Sequence, residues 1–121
     1  MIEFEETPEF RKDFKSLLKR YRTLEDDFEI MKRFTLIPFF EKGIVSSALL
    51  FIEGFCDEKY KSVKIKKFSC RALKGRGAAS GIRVICVWQK AKCKISFIQI
   101  YMKSDFENED RSRLKRFVET L

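Results

Sequence analysis

The stretch IRVICVWQKAKCKISFIQIYM, residues 82–102, decides the fold of this chain. Its two halves, 82–88 and 95–102, are rich in β-branched and aromatic side chains, which favour strands. The segment 90–92 between them is only long enough for a turn, so the halves are predicted to form an antiparallel hairpin. A sheet is therefore expected at the centre of the protein, with the flanking helices packed on it.

The residues before the hairpin predict a short strand and a first helix. Apolar Ile2 and Phe4 alternate with acidic residues over residues 1–5, as in a strand with one buried face. Thr7 is a good N-cap and Pro8 suits the first helical position, where a missing N–H has no consequence. The first helix is therefore predicted to begin at Pro8.

A second helix is predicted to form an antiparallel pair with the first. Thr23, with Asp26 three residues later, resembles a capping box, and apolar residues follow at helical spacing. Pro38 and Gly43 are expected to end this helix.

The rest of the chain completes an α+β pattern. Residues 39–54 fit neither period and are predicted only as a largely apolar connector, whereas 63–68 read as a strand and 108–121 as a helix capped by Asn108. The sequence thus predicts an N-terminal strand and a helical hairpin packed on a mainly antiparallel four-stranded sheet, with a C-terminal helix. At 121 residues, a single domain spanning 1–121 is expected.

The charge of the chain is concentrated in one region. Residues 59–104 contain ten lysines and three arginines but no acid, so this region carries +13 against a total of +8. The remainder therefore carries −5. A basic sheet within an acidic frame predicts a polyanionic partner such as a nucleic acid.

Composition argues against several classes of protein. The apolar stretches are too short to span a bilayer, and the acidic N-terminus does not resemble a signal peptide, so a cytoplasmic protein without membrane contact is expected. The four cysteines form no CxxC pair and there is no histidine, which argues against a metal site. Reduced thiols are expected, and no cofactor is predicted.

Five segments of the chain together resemble one protein family. They are TPEFRKDFK (7–15), KIKKF (64–68), LKGRG (73–77), SGIRVI (80–85) and IQIYMK (98–103). In this order they resemble bacterial toxins of the RelE/ParE superfamily over nearly the whole chain. The resemblance implies a RelE-like toxin of a type II toxin–antitoxin system, neutralised by a cognate antitoxin protein. It implies either a ribosome-dependent mRNA endonuclease (an mRNA interferase, which inhibits translation) or a ParE-like inhibitor of DNA gyrase.

RNA cleavage without metal or histidine limits the candidate catalytic groups. The 2′-hydroxyl must be deprotonated, the crowded phosphate stabilised and the leaving oxygen protonated. Arg83 matches the strand arginine that RelE-type nucleases use near the scissile phosphate, and Lys64 and Lys66 match their basic strand pair. Lys64, Lys66, Lys103 and Tyr101 are the candidates for proton transfer. Alternatively, the two strand lysines form an ordinary solvated face and Tyr101 is a packing residue.

Further cations are candidates for RNA backbone contacts. Arg71, Lys74 and Arg76 flank or occupy the glycine-rich loop, and Lys67 is a weaker candidate because it should point away from Lys64 and Lys66. These charges could equally keep the loop soluble.

Two other functions stay open at the level of sequence. A gyrase inhibitor needs no catalytic group, which suits a chain without histidine. A decayed toxin would only bind its antitoxin.

Overall fold

The computed structural model describes residues 1–73 and 80–121. Within these residues the helices are α1 (Pro8–Arg20), α2 (Leu24–Met31), α3 (Ile37–Lys42) and α4 (Arg111–Val118), with a π-helical turn at Lys32–Leu36 and a 3-10 turn at Lys90–Lys92. The strands are β1 (Glu3–Glu6), β2 (Leu49–Cys56), β3 (Lys61–Ile65), β4 (Ile82–Gln89) and β5 (Lys94–Met102).

The described strands form one mixed sheet in the order β1-β5-β4-β3-β2. The predicted hairpin is confirmed as β4 and β5, and β1 joins the free side of β5 as the parallel strand. The remaining pairs are antiparallel. The α+β class and the mainly antiparallel sheet therefore agree with the sequence prediction.

The prediction of four strands was wrong by one, because most of β2 lies inside the segment 39–54 that was taken as a connector. Leu49 and Leu50 pair with Ile65 and Lys64 at the edge of the sheet. The register then shifts between Phe51 and Cys56, where Gly54 has a φ of +86°. This irregularity breaks the two-residue alternation on which recognition of a strand depends.

Pro38 does not end the second helix, contrary to the sequence prediction. A π-helical turn precedes it, in which the Ile37 N–H donates to the Lys32 carbonyl, and Pro38 falls in the first turn of α3. A proline is tolerated in a first turn because its N–H would have no helical acceptor there. Gly43 does end the helix, with a left-handed φ of +65°.

The predicted helix caps had different outcomes. Thr7 caps α1 as expected, since its hydroxyl accepts a hydrogen bond from the Phe10 N–H. Thr23 makes no capping hydrogen bond, and the last helix is capped by Asp110 rather than Asn108. Asp110 Oδ1 accepts from the Arg113 N–H at 3.0 Å.

The sheet has two unequally covered faces. α1, α2 and α3 cover one face, where Phe97 of β5 packs against Phe10 and Phe28 with ring centroids 5.4 and 4.8 Å away. The other face, here called the α4 face, has a smaller cluster that includes Ile85, Ile98 and Leu114. The larger hydrophobic cluster therefore lies between the sheet and α1, α2 and α3. The α4 face is less completely covered and also carries polar side chains.

A one-residue bulge in β5 shapes the α4 face. Ile85 pairs with Gln99 whereas the next residue, Cys86, pairs with Phe97, so Ile98 is the extra residue. Ile98 packs in the cluster of the α4 face. Gln99 accepts a hydrogen bond from the Asp110 N–H through its side-chain oxygen at 2.8 Å. The bulge thereby fixes the point at which α4 begins.

Candidate functional site

Three of the sequence-predicted residues converge on the α4 face. Arg83 of β4 pairs directly with Tyr101 of β5, and Lys64 of β3 pairs with Ile85, one strand repeat from Arg83. Residues two apart on a strand share a face and lie about 7 Å apart. The centre of the sheet therefore presents an ammonium, a guanidinium and a phenol from three neighbouring strands.

Lys64 is held by a carboxylate that sequence reasoning did not single out for function. Its Nζ lies 2.8 Å from Oε1 of Glu109, which comes just before α4. The side chains are 19% and 5% exposed. Lys64 therefore does not belong to an ordinary solvated lysine face, the alternative that the sequence left open, because α4 and the residues leading into it cover this part of the sheet.

Glu109 is an ionised carboxylate in spite of its burial. Burial by itself raises the pKa of a carboxyl group, but the contacts with Lys64 and Arg111 outweigh it, so the pKa of Glu109 lies below its ordinary value. Arg111 Nε donates to Glu109 Oε2 at 3.0 Å. One carboxylate thus joins two cations at the edge of the site.

Tyr101 lies beneath the charged groups rather than among exposed ones. It is buried, and among the described residues its hydroxyl has no hydrogen-bond partner. Burial raises the pKa of this phenol above its ordinary value, although the positive charges of Lys64 and Arg83 act to lower it. Tyr101 therefore keeps its proton at neutral pH.

Arg83 is the cation of the central group that is not held by a carboxylate among the described residues. It is half-buried, and its guanidinium makes only a long contact of 3.4 Å with the neighbouring Ile82 carbonyl among the described residues. No carboxylate of the described chain forms an ion pair with it. A guanidinium with free donors on a sheet surface can bind a phosphate through two parallel hydrogen bonds.

The other predicted lysines lie around this centre. Lys66 follows the end of β3 and is exposed, with its N–H bonded to the Ala48 carbonyl. Lys103 follows β5, is exposed and donates its N–H to the Gly81 carbonyl. Lys67 donates from Nζ to the Ser47 hydroxyl at 3.1 Å. These three lysines are available to solvent, and their roles stay predictions.

Arg71 lies in a network that ties the chain to α2. Its Nε and its N–H donate to the two oxygens of Asp27, at 2.9 and 3.0 Å. Thr23, which does not cap its helix, donates to Asp27 at 2.7 Å and accepts from the Ala72 N–H. The predicted RNA contact of Arg71 is untested, but this residue has a structural partner. Lys74 and Arg76 lie outside the described residues.

The cysteines and acids give no sign of metal chemistry in the described part of the chain. All four cysteines are free thiols, and no group of three or more potential metal ligands is found among these residues. No described helix combines the length and apolarity needed to cross a membrane.

Sequence comparison adds nothing, but structural comparison identifies a similar fold. No protein-family model matches the chain, and no curated protein matches it in sequence. The structure is similar to a chain in the crystal structure of the archaeal RelE–RelB complex from Pyrococcus horikoshii OT3, with a TM-score of 0.51 and 14% identity. The match covers 84% of this chain and 94% of that chain. The protein therefore has a RelE-like α+β fold.

Proposed function

We propose that this chain is the toxin of a type II toxin–antitoxin pair and that it cleaves messenger RNA on the ribosome as a single domain. The observation that carries the proposal is the convergence of Lys64, Arg83 and Tyr101 on the α4 face. All three residues lie within a stretch of 46 residues that contains no acid. The RelE-like fold and the resemblance of the sequence to bacterial RelE/ParE toxins support the same reading.

The proposed chemistry uses the 2′-hydroxyl of the RNA as the nucleophile. Arg83 binds the scissile phosphate and stabilises the charge that develops on it, because no described carboxylate pairs with it and its one described hydrogen bond is a long contact with Ile82. Lys64 adds positive charge beside it, and Lys66 and Lys103 contribute charge or proton transfer from the rim. Such a reaction leaves a 2′,3′-cyclic phosphate and a 5′-hydroxyl, and it uses no metal ligand from the protein.

Substitution of Arg83 tests this proposal. Purified wild-type protein is expected to cleave mRNA on programmed ribosomes, and Arg83→Ala to lower the rate about 100-fold, as for removal of one transition-state donor. Arg33→Ala is the matched control, since Arg33 is exposed on the helical side of the sheet and has no described ion pair. Equal rates for wild type and Arg83→Ala would show that the assigned site is wrong.

The proposed partner is an antitoxin with an acidic segment. The structurally similar chain was crystallised in a RelE–RelB complex, and a stretch of 46 residues that carries +13 would otherwise bind nucleic acids broadly. Co-expression with a small acidic protein encoded beside the toxin is expected to restore growth. RNA binding by the free toxin is expected to weaken steeply with salt, and a flat salt response would argue against an electrostatic site.

A gyrase inhibitor is the second candidate function. It is favoured by the absence of histidine from the chain and by the covered hydroxyl of Tyr101, which leave no obvious exposed proton donor other than lysine. A supercoiling assay separates the two functions. Inhibition of gyrase at stoichiometric protein, with mRNA left intact on ribosomes, would replace the nuclease proposal.

A further inference from the structure

We propose that Glu109 is a positioning residue of the site: its carboxylate holds the ammonium of Lys64 in place for RNA cleavage. The inference rests on the proposed ribonuclease function. It assigns a role to a residue whose type, an acid, is unexpected in a surface that should attract phosphate. The argument depends on how Glu109 is held, on its burial and on what it does to Lys64.

The backbone that follows Glu109 is held by the sheet and by α4. The N–H of the following residue, Asp110, donates to the side-chain oxygen of Gln99 on β5. Asp110 in turn caps α4, and Arg111 in the first turn of that helix donates to Glu109 Oε2. The carboxylate is therefore attached to the sheet and to a helix, which leaves it little freedom to follow a moving lysine.

Lys64, by contrast, has a flexible side chain of four methylene groups. In the absence of a partner its ammonium would sample many rotamers and extend into solvent. The ion pair of 2.8 Å keeps the ammonium over the sheet, on the face that carries Tyr101 and Arg83. Glu109 thus restricts the ammonium of Lys64 to one position in the site.

Burial of Glu109 is unfavourable unless a specific contact offsets it. An ionised carboxylate that leaves water requires pairing and hydrogen bonds to compensate its desolvation. Among the described acids only Asp27 and Glu109 are buried, and Asp27 has a clear structural task at the start of α2. Glu109 is paired with the candidate site, where its negative charge also weakens the attraction for phosphate. We therefore expect it to improve the reaction at the expense of binding.

Removal of the Glu109 charge is expected to slow cleavage but to tighten RNA binding, and a kinetic experiment measures the two effects separately. Glu109→Gln keeps the shape of the side chain and removes the charge. In single-turnover cleavage on programmed ribosomes, we expect the rate at saturation to fall about tenfold, because Lys64 is held less firmly. We expect the half-saturating protein concentration to fall as well, because a negative charge has been removed near the RNA. A variant that lost activity through partial unfolding would not bind RNA more tightly.

Two further variants make the test specific. Glu107→Gln is the matched control, since Glu107 is exposed in the same segment, and it should leave the rate unchanged. Glu109→Asp retains the charge but withdraws the carboxylate by one methylene group, so the rate should fall without a gain in binding. Thermal melts establish whether each variant is folded. If Glu109→Gln does not fold, Glu109→Asp still provides the test.

A double-mutant cycle shows whether Glu109 acts through Lys64. In a Lys64→Met background, Glu109→Gln is expected to cause no further loss of rate. A full tenfold loss in that background, or a wild-type rate for Glu109→Gln alone, would overturn the positioning role while the nuclease function stands. If wild-type protein leaves the mRNA intact, or if Lys64→Met and Arg83→Ala both cleave normally, the proposed function itself fails and this inference with it.

Discussion

The buried carboxylate of Asp27 is expected to be a major source of stability, and its neighbour Asp26 provides the comparison. Both residues lie in the first turn of α2 and both face Arg71, with side chains 3% and 80% exposed. Asp27→Ala and Asp26→Ala therefore remove the same charge from the same helix terminus. The favourable interaction of each carboxylate with the helix dipole is common to both and cancels in the comparison.

The expected loss can be worked out from the contacts of Asp27. Its oxygens accept from the Thr23 hydroxyl at 2.7 Å and from the Arg71 N–H at 3.0 Å. Hydrogen bonds to a charged group contribute about 1.5 kcal/mol or more each, so these two give about 3 kcal/mol. The guanidinium contact adds little, since Arg71 is largely exposed. Asp26→Ala should cost below about 1 kcal/mol.

Urea unfolding followed by circular dichroism measures both values. For a chain of this size, about 3 kcal/mol corresponds to a decrease in Tm of about 10 °C. Amide hydrogen exchange adds a local measurement, because the Ala72 N–H donates to Thr23, which Asp27 orients. Equal destabilisation by the two substitutions would refute the reasoning, since it would mean that burial of Asp27 has no energetic consequence.

Three other predictions concern pH, thiol reactivity and backbone strain. The pKa of Asp27 is lowered on folding because the hydrogen bonds from Thr23 and Arg71 outweigh its burial. The contribution of Asp27 to the free energy of unfolding is therefore complete above about pH 4 and is lost as the pH falls further. In an acid titration, the difference in unfolding free energy between wild type and Asp27→Asn should decrease below that pH. Burial raises the pKa of the Cys86 thiol to about 12, so a thiol reagent should label Cys86 only after unfolding, and labelling of Cys86 in the native protein would contradict its place in the core. Gly43→Ala should destabilise by about 1 kcal/mol in urea because of its positive φ alone, as no atom lies within 4 Å of an added Cβ, and Gly43→Asn should recover part of this loss; an unchanged stability for Gly43→Ala would show that the helix can end in another way.

The parts of the fold that local rules determine were predictable from the sequence. Thr7 and Pro8 begin a helix in the expected way, and the hairpin of β4 and β5 follows from two β-rich runs around a turn. The strand β2 was missed because its irregular pairing with β3 hides the alternation. The helix beyond Met31 was misjudged because a π-helical turn accommodates Pro38.

Contacts between distant residues account for most of what the sequence did not reveal about the site. The convergence of Lys64, Arg83 and Tyr101 follows from the order of the strands in the sheet. These residues were predicted as site candidates because the sequence resembles a known family. The pairing of Lys64 with Glu109 joins residues 45 positions apart, and Glu109 looks like an ordinary acid at the start of a helix. Thr23 likewise bonds across to Ala72 rather than capping its own helix. A single sequence has no local pattern for such pairs.

The extra residue of β5 also has a consequence for how the length of this chain can vary. On both sides of Ile98 the strand alternates regularly, but the residues that face the larger cluster are odd-numbered up to Phe97 and even-numbered from Ile100. Deletion of Ile98 would therefore restore an even alternation without turning any other side chain of β5 to the opposite face. Gln99 and Tyr101 would keep their facing partners, Ile85 and Arg83. A one-residue deletion inside a central strand usually turns the side chains on one side of it to the opposite face. At Ile98 it would leave the side chains of β5 on their present faces.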